Sequence, residues 1–384
     1  MTRIDTNNPF TGIAALALAA SAALSPGVAL AAEHKISVVM GTTGPSAFVA
    51  VPATNAMKIA EEDLRAEKLF GADTLKVTYE DNRSDKQEAI TLLNKIAQDK
   101  STLVFIGPVS SSEALAAAPA AVSLKVPLFT TGTNPAILAA GEWAFKISEN
   151  ADDFVRPLGD YIGKVVRPKS CYLVSIRDNE AYLVYSKVFK EGVTAAGTRI
   201  VGEDTILSSD SNFAALATKI VDSGADCLYV STPPELGANL VVQARQAGMA
   251  RQTVLVGNQN MASDKYTAIG GKAVEGTYLI AEFSPFSDSA AARDFVKKYS
   301  ARYNSLPDAW AAVGYSMMTI AAHAVKNAGP NPTRESVRAA MAASKDVPVI
   351  IGSGKFSLDA NRVPHFGAVV LQIKDGKVAP PAVR

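Results

Sequence analysis

Apolar residues fall along this chain in two alternating rhythms. Short runs rich in Val, Ile, Leu and Phe read as strands, and the stretches between them repeat their apolar residues at helical spacing. KISVVM (35–40), LKVTYE (75–80), TLVFIG (102–107) and VPLFT (126–130) come first. CYLVSI (171–176), TRIVGED (198–204), DCLYVS (226–231) and TVLVG (253–257) follow, with matching strands roughly 125–135 residues apart, so one α/β unit is used twice. The intervening stretches predict helices over 49–65, 86–99, 111–123, 153–165, 181–196, 212–223, 235–247 and 263–269. Strict alternation predicts an α/β protein with two Rossmann-like lobes, each a parallel sheet covered on both faces.

After residue 289 the rhythm changes. Helices are expected over 289–303, 308–327 and 334–343, then a β-like ending through GKFSLD (354–359) and FGAVVLQIKDGK (366–377). The expected division is a leader over 1–31, a first lobe of 32–150 with 284–347, and a second lobe of 151–283 with 348–384. The chain then crosses between lobes near 148–153 and 282–285, with a third crossing near 348–354. Several crossings make a hinge, which suits closure on a ligand.

The strands end in small polar loops: GTTGPSAF (41–48), GPVSSSE (107–113) and TTGTNP (130–135), then RDNEAY (177–182), STPPE (231–235) and GNQN (257–260). Parallel sheets gather such loops on one edge, where ligands bind. Two such edges facing each other make a cleft.

Length and charge narrow the function. A chain of 384 residues exceeds one typical core. Lys+Arg and Asp+Glu nearly cancel at 38 against 37, so no basic excess exists for phosphates, and nucleic acid is not expected as a partner. Arg3 precedes an apolar run over 12–24, and Ala29-Leu30-Ala31 supplies an A-x-A cleavage pattern. A periplasmic protein starting at Ala32 is expected, because the run is too short to span a bilayer. Neither cysteine lies near that cut, which excludes a lipid-anchored N-terminal Cys. Cys171 and Cys227 each open a strand; export permits a bridge, but buried, unbridged thiols are the expectation.

No catalytic set emerges. The chain has neither a G-x-S-x-G elbow nor H-E-x-x-H. His34, His323 and His365 are scattered without metal spacing, so no metal or cofactor is expected. Asp81 and Asp85 read as a turn and helix start rather than a carboxylate pair. In GSGKF (352–356), Val349 and Phe356 occupy positions where a phosphate loop needs Gly and Ser or Thr.

Binding chemistry is better represented. Ser110 and Glu113 form a capping-box pattern at a helix start. Such an end offers free N–H groups and partial positive charge to a carboxylate, and Ser110, Ser111 and Ser112 add hydroxyls. Thr131 and Thr133 sit in the neighbouring loop. From the second half, Tyr182 or Tyr185 either faces the cleft or packs beneath its helix, and Gln259 points inward from its strand end. Phe48 and Val49 offer an apolar wall.

Taken together, Gly44-Pro45, Asp81…Asp85, Gly107-x-x-Ser-Ser, Thr133-Asn134-Pro135, Asp178-Asn179…Tyr182, Gln243-Ala244-Arg245…Gly248 and Phe356…Asp359 carry a resemblance. The chain resembles the type I periplasmic solute-binding proteins of ABC importers, in the branched-chain amino acid (Leu/Ile/Val) group, over nearly all of its mature length. The resemblance implies a two-lobed fold that closes on a small solute and presents it, as a monomer, to a permease in the inner membrane. It places a solute carboxylate on Ser111 and Thr133, with Thr131 or Gly132 near, and Tyr182 on the second lobe. An acidic residue in a G-P-E-G-like loop holds the ammonium in the family's amino-acid binders; here that loop reads GNQN and carries Gln259. Either Asp178, Glu180 or Glu282 compensates, or the solute is an aromatic or aliphatic acid without an ammonium. A ligand sensor acting through a receptor, and an exported enzyme on the same scaffold, are the competing readings.

Overall fold

The computed structural model describes residues 31–287 and 289–381. The expected leader, apart from Ala31, lies outside them. The first lobe begins with β1 (Glu33–Met40), α1 (Ala47–Ala66), β2 (Thr74–Asp81), α2 (Lys86–Gln98), β3 (Thr102–Ile106), α3 (Ser111–Leu124), β4 (Leu128–Thr130), α4 (Ala136–Ala139) and β5 (Ala144–Lys146). Its sheet is parallel in the order β2-β1-β3-β4-β5. Every residue of β3 is buried, as a central strand covered on both faces requires.

The second lobe follows with α5 (Ala151–Tyr161), β6 (Ser170–Ile176), α6 (Glu180–Ala195), β7 (Arg199–Ile206), α7 (Ala214–Asp222), β8 (Cys227–Ser231), α8 (Pro234–Gln246), β9 (Val254–Gly257), α9 (Asp264–Gly270) and β10 (Tyr278–Ala281). A π turn (Ile162–Val166) ends α5, so the single helix expected over 153–165 changes winding partway.

The chain then returns to the first lobe as α10 (Ala290–Tyr303), α11 (Ala309–Asn327) and α12 (Arg334–Ala342). α11 lies so close on α1 that a Cβ on Gly314 would stand 2.3 Å from the Ala53 carbonyl oxygen; only glycine fits there. Asp63 ties α10 and α11 down, accepting from Lys298 (2.8 Å) and from the Tyr315 hydroxyl (2.9 Å).

The last segments are β11 (Val347–Pro348), β12 (Lys355–Phe356), β13 (Val369–Lys374) and β14 (Lys377–Ala379). β13 and β14 join the second sheet antiparallel, in the order β14-β13-β10-β9-β8-β6-β7. This sheet is therefore mixed, where a wholly parallel one is expected. The third crossing also lies later than 348–354. Gly352 reaches the hinge, donating to the Glu282 carbonyl (2.8 Å), but the chain turns back as β12. Phe356 then packs against Phe129, and the Arg362 guanidinium donates to the carbonyls of Leu138 and Gly141 in the first lobe. The crossing is completed at Phe366 and Gly367, whose N–H groups both donate to the Glu149 carboxylate.

Cys171 and Cys227 form a disulfide, which overturns the expectation of free thiols. The cause is register: β6 and β8 are adjacent, and their pairing sets Cys171 directly beside Cys227, with Cα atoms 4.3 Å apart. That separation lies within reach of a bridge.

Candidate functional site

The carboxyl ends of the two sheets face one another across a cavity of about 190 Å³. Its volume is below the ~300 Å³ at which pockets for drug-sized ligands begin. Ser110, Ser111, Thr131, Gly132 and Thr133 line one side, with Phe48 and Val49; Tyr182, Tyr185 and Gln259 line the other. All nine residues expected at the site are thus brought together, along with Tyr185.

The first-lobe side is built on the start of α3. Ser110 caps the helix by accepting from the Glu113 N–H (3.2 Å), and Glu113 reaches back toward the Ser110 N–H. This capping box takes one orphan donor of the first turn and leaves those of Ser111 and Ser112 without an intrahelical partner. Glu113 also accepts from Ser46, and burial pushes its carboxyl up from the ordinary value. Ser111 Oγ accepts from the backbone N–H groups of Thr133 (3.1 Å) and Asn134 (3.4 Å), which locks the 130–135 loop onto α3.

Thr133 is held by three contacts. Its N–H binds Ser111, its carbonyl accepts from the buried Lys146 ammonium (3.1 Å), and its Oγ1 accepts from the Tyr185 hydroxyl (3.0 Å). Burial lowers the Lys146 pKa to about 8, against the pull of Asp153 and Glu149. Thr131 has a supporting part: its hydroxyl donates to the Val109 carbonyl, so its proton is spent inside the lobe. At Gly132 a Cβ would meet Ile137 Cδ1 at 2.5 Å, so a side chain there would have to displace that methyl group.

On the second-lobe side Tyr182 and Tyr185 stand edge to face, with ring centroids 6.1 Å apart. The sequence left open which of them faces the cleft, and both do. Burial raises the pKa of each, so both keep their protons. Asn260 Nδ2 donates to the Tyr182 hydroxyl (2.7 Å). The Tyr185–Thr133 bond joins the lobes, as does Asn134 Nδ2 donating to Glu180 (3.3 Å).

Gln259 opens a 3₁₀ turn (Gln259–Met261). Asn258 fixes that turn by donating to the Thr232 carbonyl and accepting from the Asn260 N–H. Gln259 is 3% exposed, and its Oε1 has no protein partner. The three carboxylates expected as substitutes for an acidic residue here stand in different places. Asp178 lines the cavity but accepts from both the N–H and the hydroxyl of Ser208. Glu180 is exposed and bound to Asn134. Glu282 is buried at the hinge, outside the lining; burial, with Glu149 adding, pushes its carboxyl up to about 7.

Trp310, from the first turn of α11, also lines the cavity. Sequence reading missed it, because nothing local in an Ala-rich helix start marks a residue that reaches a cleft built from loops far away in the chain. Among the described lining residues there is no Lys, Arg or His, and no described His, Cys, Asp and Glu cluster could hold a metal ion.

The sequence profile of one protein family, described as periplasmic binding protein, matches residues 33–377. A Leu/Ile/Val-binding protein homolog of Brucella melitensis is 24% identical over 90% of this chain and 93% of its own length. A leucine-, isoleucine-, valine-, threonine- and alanine-binding protein of Pseudomonas aeruginosa is 26% identical over 85% and 87%. Among solved structures, a leucine binding protein from Thermotoga maritima superposes with a TM-score of 0.82, at 24% identity over 91% of this chain and 97% of that one. A solute binding protein of a Rhodopseudomonas palustris ABC transporter, in complex with benzoate, superposes at 0.79, with 23% identity over 92% and 98%.

Proposed function

This chain belongs to the periplasmic binding protein family, and from that premise we propose that it captures a small carboxylate without an ammonium group for an ABC importer. The observation that carries the reading is the pair of unspent hydroxyl protons on Ser111 and Thr133. Ser111 Oγ accepts two backbone N–H bonds, and Thr133 Oγ1 accepts one from Tyr185. Each hydroxyl is used as an acceptor and retains its own proton to donate. Two such donors beside the positive end of α3 suit one carboxylate. With no Lys or Arg in the described lining, the anion is held by hydroxyls and helix dipole rather than by an ion pair.

The second half of the reading concerns charge. An ammonium buried in this cavity needs a carboxylate, since an uncompensated buried charge is costly. Gln259 is neutral. Of the two carboxylates in the described lining, Asp178 is exposed and held by Ser208, and Glu113 is held in the capping box with burial pushing its carboxyl up. Glu282 stands outside the lining. An aliphatic or aromatic acid meets this cavity without that cost. The benzoate-bound relative supports the reading, as a case of this fold holding an acid that has no amine. The Leu/Ile/Val-binding names among the relatives favour the second reading, an α-amino acid.

The family supports delivery to an inner-membrane permease, and the Ala29-Leu30-Ala31 pattern supports action in the periplasm after a leader is cut behind Ala31. No described helix is long and apolar enough to cross a membrane.

A thermal-shift series on matched pairs tests the proposal: leucine with 4-methylpentanoate, and phenylalanine with 3-phenylpropanoate, alongside benzoate. A ligand of the folded state raises the melting temperature. The acids should do so at lower concentration than their amino counterparts. A protein stabilised by leucine and by none of the acids would overturn the reading.

A further inference from the structure

The cavity holds a second polar pair that the carboxylate does not use. Of its described lining residues, two carry buried polar atoms with no protein partner: Gln259 through Oε1 and Trp310 through Nε1. They are 3% and 5% exposed. A buried polar atom left unpaired costs about 1–3 kcal/mol, and such atoms in a folded protein call for an explanation. Both are set firmly. Gln259 sits on the turn that Asn258 pins at each end of its amide, and Trp310 on the first turn of α11, capped by Asp308 through the Ala311 N–H (2.8 Å).

The two atoms differ in kind. The indole N–H only donates, whereas the amide oxygen only accepts. We infer that this pair recognises a neutral hydroxyl on the solute, which accepts from Trp310 and donates to Gln259. The solute is then a hydroxy-carboxylate, an inference that rests on the carboxylate reading and narrows it. A hydroxyl also serves the Gln259 amide turned the other way, since it accepts as well as donates. An ammonium does not fit, because its donors would confront the Trp310 N–H. A second carboxylate would face the Gln259 oxygen in the orientation the amide has here, and would add a second buried negative charge where the described lining holds no Lys, Arg or His.

The pair also spans the cleft. Gln259 belongs to the second lobe and Trp310, through α11, to the first. One hydroxyl bonded to both therefore links the lobes and favours closure. An acid lacking it closes the site with two polar atoms still unpaired, which is the kind of difference that gives strong discrimination.

The test is calorimetry on parent and hydroxylated acids: benzoate with 3- and 4-hydroxybenzoate, 3-phenylpropanoate with its ring-hydroxylated forms, and pentanoate with 5-hydroxypentanoate. At least one hydroxylated acid should bind about tenfold or more tightly than its parent. In Trp310→Phe and Gln259→Leu the ratio of hydroxylated to parent affinity should fall below about threefold, whatever each substitution does to the parent acid's own affinity. If Trp310→Phe does not fold, Gln259→Leu decides alone. Parent acids that bind as tightly as every hydroxylated one would overturn the inference and leave the carboxylate reading standing, as would an advantage that survives both substitutions. Failure of every acid to bind would overturn both.

Discussion

Thr133→Val is the sharpest test of the carboxylate anchor. Valine keeps the shape of threonine and its backbone, so the N–H bond to Ser111 and the carbonyl bond from Lys146 remain. Only the hydroxyl is lost. If that hydroxyl donates to a carboxylate, its removal costs about 1.5–3 kcal/mol, or between about tenfold and about 160-fold in Kd. A second cost follows. The Tyr185 hydroxyl, 3.0 Å from Thr133 Oγ1 and fully buried, loses its acceptor. Because that bond joins the lobes, the penalty falls on the closed, solute-holding form. Tyr185→Phe alone removes a neutral bond worth about 0.5–1.5 kcal/mol, so it should weaken binding by about two- to twelvefold. In the Tyr185→Phe background no orphan is created, and Thr133→Val should cost about 1 kcal/mol less than it does alone. Calorimetry on the two single variants and the double variant, with the best acid from the thermal series, closes the cycle. A loss below about twofold for Thr133→Val, or effects that simply add to within about 0.3 kcal/mol, would refute the reasoning.

Three further outcomes follow from other parts of the molecule. The bridge between Cys171 and Cys227 spans 56 residues, and loop-closure entropy assigns it about 4 kcal/mol of stability; the double Ala variant should unfold at lower denaturant yet bind solute normally, since both cysteines sit at the strand ends away from the cavity, and a loss below about 1 kcal/mol would count against it. Glu282, with its carboxyl raised from 4.5 to about 7, keeps a proton that the unfolded chain releases at lower pH. Stability should therefore fall as pH rises between about 4.5 and 7, with Asp308, also raised to about 7, acting in the same sense; Glu282→Gln should flatten the melting-temperature profile, and an unchanged slope would rule this out. Gln259→Glu should shift preference from 4-methylpentanoate toward leucine by supplying the counter-charge for an ammonium, and a variant that discriminates as the native protein does would sink that account.

Much of this was legible in the chain, because it is written locally. Strand and helix alternation depends on side-chain period, and most helix limits fall within two residues of expectation. The Ser110–Glu113 capping box is present with both of its bonds. Asp85 caps α2, and Asp81 accepts from the Arg83 and Thr43 N–H groups, which bears out the turn in place of a carboxylate pair. What was not legible depends on which strands become neighbours. The disulfide needs β6 beside β8 in one register. The late crossing needs Glu149 to wait for two N–H groups more than two hundred residues away. Trp310 enters the cavity because α11 packs against α1, a contact that no local pattern announces.

The returning helices have a consequence for how the protein comes into being. The first lobe starts the chain but cannot be finished until its far end exists. Asp63 waits for Lys298 and Tyr315, at separations of 235 and 252 residues, and Leu138 waits for Arg362 across 224. The parallel part of the second sheet, from Ser170 to Ala281, is continuous in sequence. Closing long loops is entropically slow, so the later lobe should assemble ahead of the earlier one. An exported chain emerging N-terminus first would then hold its opening segment unfinished until the last helices arrive. Its partly made first sheet, with α11 absent, would be the surface that most needs shielding during that interval.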